Sequence, residues 1–183
     1  MPTLRMRDDP STELHFASVP WRNLSSDRVR IHHLGNNSMP ELPEAEVAAR
    51  QLRARVVGAR VRDCWVGRGD IVREGLPSLE WYRQTTITGV ERRGKSVILT
   101  FRCGDEVRFL AAELGMTGLL LFRSTPTKCP QHIHFILHLE DCDEPEIRYW
   151  NPRRFGRLSL LDQAGLDQYT ARRFGHDPLT ISS

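Results

Sequence analysis

What most restricts the fold of this chain is a succession of short segments in which apolar and polar residues alternate, separated by small turns. They fall at residues 61–66, 85–92, 96–102, 106–112, 118–123, 132–139, 146–150 and 157–161. Alternation with a period of two is the mark of a strand with one face on a core. Ile133, Phe135, Leu137 and Leu139 share one face of the sixth segment, which turns its histidines outward, and Val97, Leu99 and Phe101 share one face of the third. A helical pattern precedes the strands. From Pro43 onward, Ala45, Ala49, Leu52 and Val56 lie on one face, acids occupy the first turn, and Gly58 is placed to close the C-terminus. Shorter helices are expected near Leu79–Gln84 and Gln163–Arg172. Strands joined by short turns with helices at the ends predict an α+β sandwich.

The length, 183 residues, suits one domain with appendages. A hydrophobic content of 39%, a charged content of 27% and a mean hydropathy of -0.44 fit a globular chain, and no apolar run approaches the roughly 20 residues that span a bilayer. The net charge of +3 and pI near 8.9 are compatible with a polyanionic partner without requiring one. Cys64, Cys103, Cys129 and Cys142 form no C-x-x-C pair, so neither a zinc ribbon nor a dithiol redox motif is present. His132, His134 and His138 alternate along one strand but lack a matching Cys or carboxylate set, so no metal is expected there. Residues 1–38 carry prolines, serines and asparagines without a sustained period. They read as an unstructured leader or a misassigned start, with translation beginning at Met39. The leader contains no apolar core for a secretory signal, and its acids do not suit a transit peptide.

Chemistry first shows in Met39-Pro40-Glu41-Leu42-Pro43-Glu44. Removal of Met39 would leave Pro40 as a secondary amine, and an α-amino group titrating near 8 is partly neutral and nucleophilic at pH 7. Such an amine can attack a sugar C1′ and form an iminium, with Glu41 beside it as proton carrier and Glu44 as a second carboxylate. The same residues equally suit a plain helix start, with prolines in the first turn and acids complementing the dipole. Three further segments follow. Arg92-Arg93-Gly94-Lys95 lies between two strand candidates and reads as a hairpin tip that holds Lys95 out, either toward a phosphate or simply into solvent. Glu113-Leu114-Gly115-Met116-Thr117-Gly118 flanks a methionine with glycines, which permits an unusual backbone path or ordinary core packing. Asn151-Pro152-Arg153-Arg154-Phe155-Gly156 presents two arginines and an aromatic on one turn. An arginine and an aromatic wedge together suit a protein that extrudes a base from a duplex, while phosphate contact or solvation also explains the arginines.

These four motifs, in this order, resemble the formamidopyrimidine-DNA glycosylase family, from Met39 to about Leu179 and closer to its oxidised-purine branch. The resemblance implies a two-layer antiparallel β-sandwich flanked by α-helices, with a catalytic domain over 39–175. It implies Pro40 as Schiff-base nucleophile, Glu41 as proton carrier and Lys95 at the catalytic centre. Met116 would fill the gap left by the extruded base, Arg153 would pair with the orphaned base and Phe155 would wedge into the stack, with His132 and His134 near the DNA. The implied substrates are 8-oxoguanine and formamidopyrimidines in double-stranded DNA, removed by base excision and β,δ-elimination by a monomer in a bacterial cytoplasm or nucleoid. Family members continue into a helix-two-turn-helix domain and a zinc finger. Residues 176–183 resemble the entry to the first, so no cofactor is expected in this chain. Two other readings stay open. A chain retaining residues 1–38 has an amide at Pro40 and cannot form the iminium, leaving an inactive remnant that binds damaged DNA weakly through Lys95, Arg153 and Phe155. A β-sandwich interaction module unrelated to DNA would require all four motifs to be coincidental.

Overall fold

The computed structural model of the chain describes residues 42–127 and 129–174. The expected leader, Met39, Pro40, Glu41 and residues 176–183 lie outside the described residues. The first element is helix α1, Leu42–Val56. Its spacing of apolar residues puts Ala45, Ala49, Leu52 and Val56 on one face, and all four are almost completely buried. Gly58 follows at a φ of +94, the left-handed conformation that glycine adopts without steric cost, and its N–H donates to the Ile87 carbonyl.

Nine strands follow: β1 Arg60–Val66, β2 Val72–Glu74, β3 Thr86–Arg93, β4 Ser96–Cys103, β5 Glu106–Glu113, β6 Leu119–Phe122, β7 Ile133–Glu140, β8 Glu146–Trp150 and β9 Leu158–Leu161. They hydrogen-bond in the order β2-β9-β5-β4-β3-β1-β7-β8-β6, antiparallel except for the parallel β2–β9 pair. The two layers of the expected sandwich are therefore one continuous sheet. It passes from β3 to β1 through a single matched pair, Arg60 with Thr86, where the halves separate and close over a shared core. Val97, Leu99 and Phe101 from one half and Leu137, Ile147 and Tyr149 from the other belong to that core, with the apolar face of α1.

The second helix, α2, Gln163–Phe174, covers the opposite face of β4 and β5. Ile98, Phe109 and Ala111 bury against its Leu166 and Tyr169 in a second, smaller core. Strand β4 is thus buried on both faces, which explains why its sequence is a continuous apolar run. Three sequence expectations need correction. The helix expected at Leu79–Gln84 is a 3-10 helix over Leu76–Tyr82, entered through Gly75 at a φ of +80 with Pro77 in its first turn. Strand β2 has no counterpart among the expected segments. The histidines of β7 are not all outward, because a register shift between Ile133 and Phe135 breaks the alternation and leaves His134 only 4% exposed. Among the described residues no helix is long and apolar enough to cross a membrane.

Candidate lesion-reading site

Three of the four motifs converge at one end of the sheet. The β3–β4 hairpin turns at Gly94, φ +57, and presents Lys95 to solvent. Arg92 secures this turn to α1. Its Nε lies 2.9 Å from Glu46 Oε2, and its Nη1 donates to the Gly94 carbonyl at 3.0 Å. The Arg92 guanidinium, with that of Arg50, holds the Glu46 carboxyl below the usual carboxylate range. The start of α1 is therefore fixed beside the hairpin that carries Lys95.

The Met116 loop leaves the end of β5 and stays close to the hairpin, since Leu114 N–H donates to the Lys95 carbonyl at 3.3 Å. Gly115 has a φ of +60, and a Cβ there would sit 2.7 Å from the nitrogen of Gly156. A Cβ on Gly156 would overlap both the Glu113 carbonyl oxygen and the Tyr149 hydroxyl. The Met116 loop and the Arg153 turn thus meet backbone to backbone, at two positions where only glycine fits. Met116 itself is half-buried.

The Asn151–Gly156 turn is held from below by a buried polar chain. Tyr149, fully buried, donates from its hydroxyl to the Glu113 carbonyl at 2.6 Å and accepts from Asn151 Nδ2 at 3.0 Å. Burial raises the pKa of the Tyr149 hydroxyl well above that of an exposed phenol, so it remains a donor. Asn151 Oδ1 accepts from the Arg154 N–H at 2.9 Å, which supports Arg154 in a left-handed conformation, φ +55. A non-glycine residue held there stores backbone strain, a recurrent property of functional turns. Above this base Arg153 and Phe155 are exposed. Phe155 shows 58% of its surface to solvent, with the Arg153 guanidinium 5.3 Å from its ring centre.

The two histidines act on this turn from beneath. The Asn151 N–H donates to the His132 carbonyl at 2.9 Å, and the His132 ring meets Trp150 edge-on. His134 Nε2 is 3.0 Å from the Asn151 carbonyl oxygen, so that nitrogen carries the proton and donates. Burial lowers the His134 pKa, keeping the ring neutral. Its side chain therefore serves the turn rather than the surface.

The structure thus brings Lys95, Met116, Arg153 and Phe155 to one end of the sheet and places His132 and His134 behind them, while Pro40 and Glu41 lie outside the described residues. Tyr149 was not among the residues expected to matter, and Glu113 only opened the Met116 motif without a role of its own. Their signal was faint: Tyr149 occupies an inward position of β8, and a buried phenol needs a partner for its hydroxyl. The Glu113 side chain is also buried. Burial raises its pKa, against the pull of Arg173 at 2.6 Å and Arg73 at 3.5 Å.

Residues 39–158 match the formamidopyrimidine-DNA glycosylase N-terminal domain. The formamidopyrimidine-DNA glycosylase of Thermomicrobium roseum is 37% identical over 155 residues, covering 77% of this chain and 52% of that protein. That of Symbiobacterium thermophilum is 36% identical over 129 residues, covering 69% of this chain and 40% of that protein. The solved structure of the Lactococcus lactis formamidopyrimidine-DNA glycosylase bound non-covalently to DNA containing an AP site superposes with a TM-score of 0.59 at 27% identity. The match covers 72% of this chain and 49% of that one. The same enzyme with FAPY-dG-containing DNA gives a TM-score of 0.59, also at 27% identity, over 72% of this chain and 48% of that one. The chain spans about half the length of the relatives it matches.

Proposed function

The chain belongs to the formamidopyrimidine-DNA glycosylase family, and from that premise we propose that it carries the catalytic and lesion-reading half of a base-excision enzyme for oxidised purines in double-stranded DNA. The observation that supports this most directly is the glycine-to-glycine contact of the Met116 loop with the Arg153 turn. It holds a half-buried methionine, an exposed arginine and an exposed phenylalanine on rigid backbone, with Lys95 on the adjoining hairpin. An enzyme that extrudes a nucleotide must fill the vacated stack and satisfy the orphaned base, and preorganised side chains do so with little loss of conformational entropy. In this reading Met116 and Phe155 occupy the stack, Arg153 bonds the orphaned base, and Lys95 meets a phosphate or the lesion beside the nucleophile.

Pro40 then supplies the nucleophile. Its amine attacks C1′ of the damaged nucleoside, the glycosidic electron pair leaves with the base, and Glu41 carries the protons that open the sugar and yield the iminium. Elimination of the 3′ and then the 5′ phosphate follows from that electron sink. Chemistry of this kind requires Pro40 to be a free secondary amine, so it belongs to a chain that begins, or is processed, immediately before Pro40. Borohydride trapping with an 8-oxoguanine duplex tests the reading, because reduction turns an iminium into a stable covalent bond. The expected result is an adduct from a chain initiated at Met39 that is lost on Glu41→Gln, which removes the proton carrier, and absent when residues 1–38 are retained and Pro40 is an amide. No adduct from either form, with weak binding persisting, would support an inactive damage-binding remnant instead.

A further inference from the structure

Beside the lesion-reading loops, the C-terminal end of α2 and strand β2 enclose an open cavity of about 570 Å³ lined by Arg73, Glu74, Tyr169, Arg172 and Arg173. Its position is fixed by contacts already built into the fold. Tyr169 shares a 2.8 Å hydrogen bond with Ser96 at the base of the β3–β4 hairpin, and Arg93 Nη1 reaches Thr170 at 3.3 Å. Gly94 packs so closely on the Phe174 ring that a Cβ there would overlap it. Beneath the cavity lies Glu113, whose carboxylate takes Arg173 at 2.6 Å and Arg73 at 3.5 Å. The backbone of that same residue leads into Leu114-Gly115-Met116 and receives the Tyr149 hydroxyl. Glu113 therefore ties two of the cavity's arginines to the lesion-reading loops.

We propose that this cavity is a phosphodiester subsite, which seats one backbone phosphate of the DNA strand on Arg172 together with Arg73 and Arg173. The inference rests on the function proposed above and adds a contact that none of the four sequence motifs contains. Charge selects the ligand. Three guanidinium groups set against Glu74 and Glu113 leave one net positive charge, which matches a monoanionic phosphodiester better than a dianionic phosphate monoester. Arg172 is the group available to it, since among the described residues its one polar contact is a 3.4 Å approach to the Gln168 amide and it meets no carboxylate. Arg73 and Arg173 are oriented from below by Glu113, as guanidinium forks are when they receive an oxyanion.

Fluorescence anisotropy with an 8-oxoguanine duplex, over a series of salt concentrations, tests the assignment on the full chain. Arg172→Ala is expected to weaken binding several-fold and to make the log–log salt dependence shallower by about 0.9, the signature of one lost phosphate contact. Arg172→Lys should restore most of that slope. An unchanged slope in Arg172→Ala, with Arg153→Ala still weakening binding, overturns the subsite and leaves the proposed function standing. Failure of the unsubstituted chain to bind the duplex overturns the function and the subsite with it. Inorganic phosphate is added at matched ionic strength to separate the two sources of phosphate. If it raises the melting temperature of the unsubstituted chain and not that of Arg172→Ala, while leaving the affinity of both for the duplex unchanged, the cavity takes free anion and the phosphodiester assignment fails.

Discussion

Two turns of this molecule each contain a glycine yet differ in what surrounds it. At the tip between β4 and β5, Gly104 has a φ of +57 and nothing within 4 Å of where a Cβ would stand. Its glycine serves the turn's own geometry and nothing else. At the Arg153 turn, Gly156 is fixed by three neighbours, the Glu113 carbonyl of β5, the Tyr149 hydroxyl of β8 and Asn151 Nδ2 of the turn itself. Here the glycine permits a long-range approach, and the exposed residues on the turn inherit a rigid base. The difference teaches that surface position does not decide mobility: an exposed side chain is held as firmly as the backbone beneath it is packed. Gly156→Ala should therefore be severely damaging, costing about 3 kcal/mol or more because neither backbone nor the buried phenol can yield. Thermal melting would check it. A loss below 1 kcal/mol would show that the two turns are not as different as their surroundings indicate.

The buried polar chain gives the next largest effect. Tyr149→Phe leaves the Glu113 carbonyl and the Asn151 amide without their buried partner and is expected to cost about 2 kcal/mol; on the function proposed above, base excision should fall further than stability accounts for because the turn loses its register. His134 adds a pH signature to the same turn. Burial lowers its folded-state pKa, so the unfolded chain binds the proton more readily. Stability should therefore be fully present above the ordinary histidine value of about 6.5 and decline as pH falls below it. Melting from pH 7.5 to 5 should show a steeper loss in the unsubstituted chain than in His134→Gln. Parallel curves would mean that His134 does not govern this window.

The same contrast explains what could be read from the sequence. Helix α1 was legible because Ala45, Ala49, Leu52 and Val56 repeat at helical spacing, and β7 because Phe135, Leu137 and Leu139 alternate. These are local periods that a single sequence records. Strand β2 was not legible, for it is three residues long and exists only through its parallel pairing with β9, far along the chain. His134 was misread as outward for a related reason, since a register shift changes the face of a residue without changing its spacing. In the site, the exposed tips were legible through their motifs, Lys95 on a Gly turn and Arg153 with Phe155 between Asn151 and Gly156. Their convergence was not, because it depends on the Glu113 carbonyl and the Tyr149 hydroxyl, and neither a backbone oxygen nor an inward tyrosine marks itself in sequence.

The smallest expected effects on stability sharpen the comparison from its other side. Gly104→Ala should cost about 1 kcal/mol, the penalty of a left-handed conformation alone, since no atom waits to be struck. Phe155→Ala should change stability by no more than about 0.5 kcal/mol, as the ring is mostly in solvent. Its effect belongs to function. If Phe155 enters the stack while a nucleotide is extruded, its removal should lower the single-turnover rate of excision at least tenfold, with duplex affinity changed far less. That pattern follows because the wedge is engaged in the flipped state and not in the encounter. Equal losses of rate and affinity would instead make Phe155 an ordinary surface contact. The rigid glycine base beneath it would then be serving Arg153 alone.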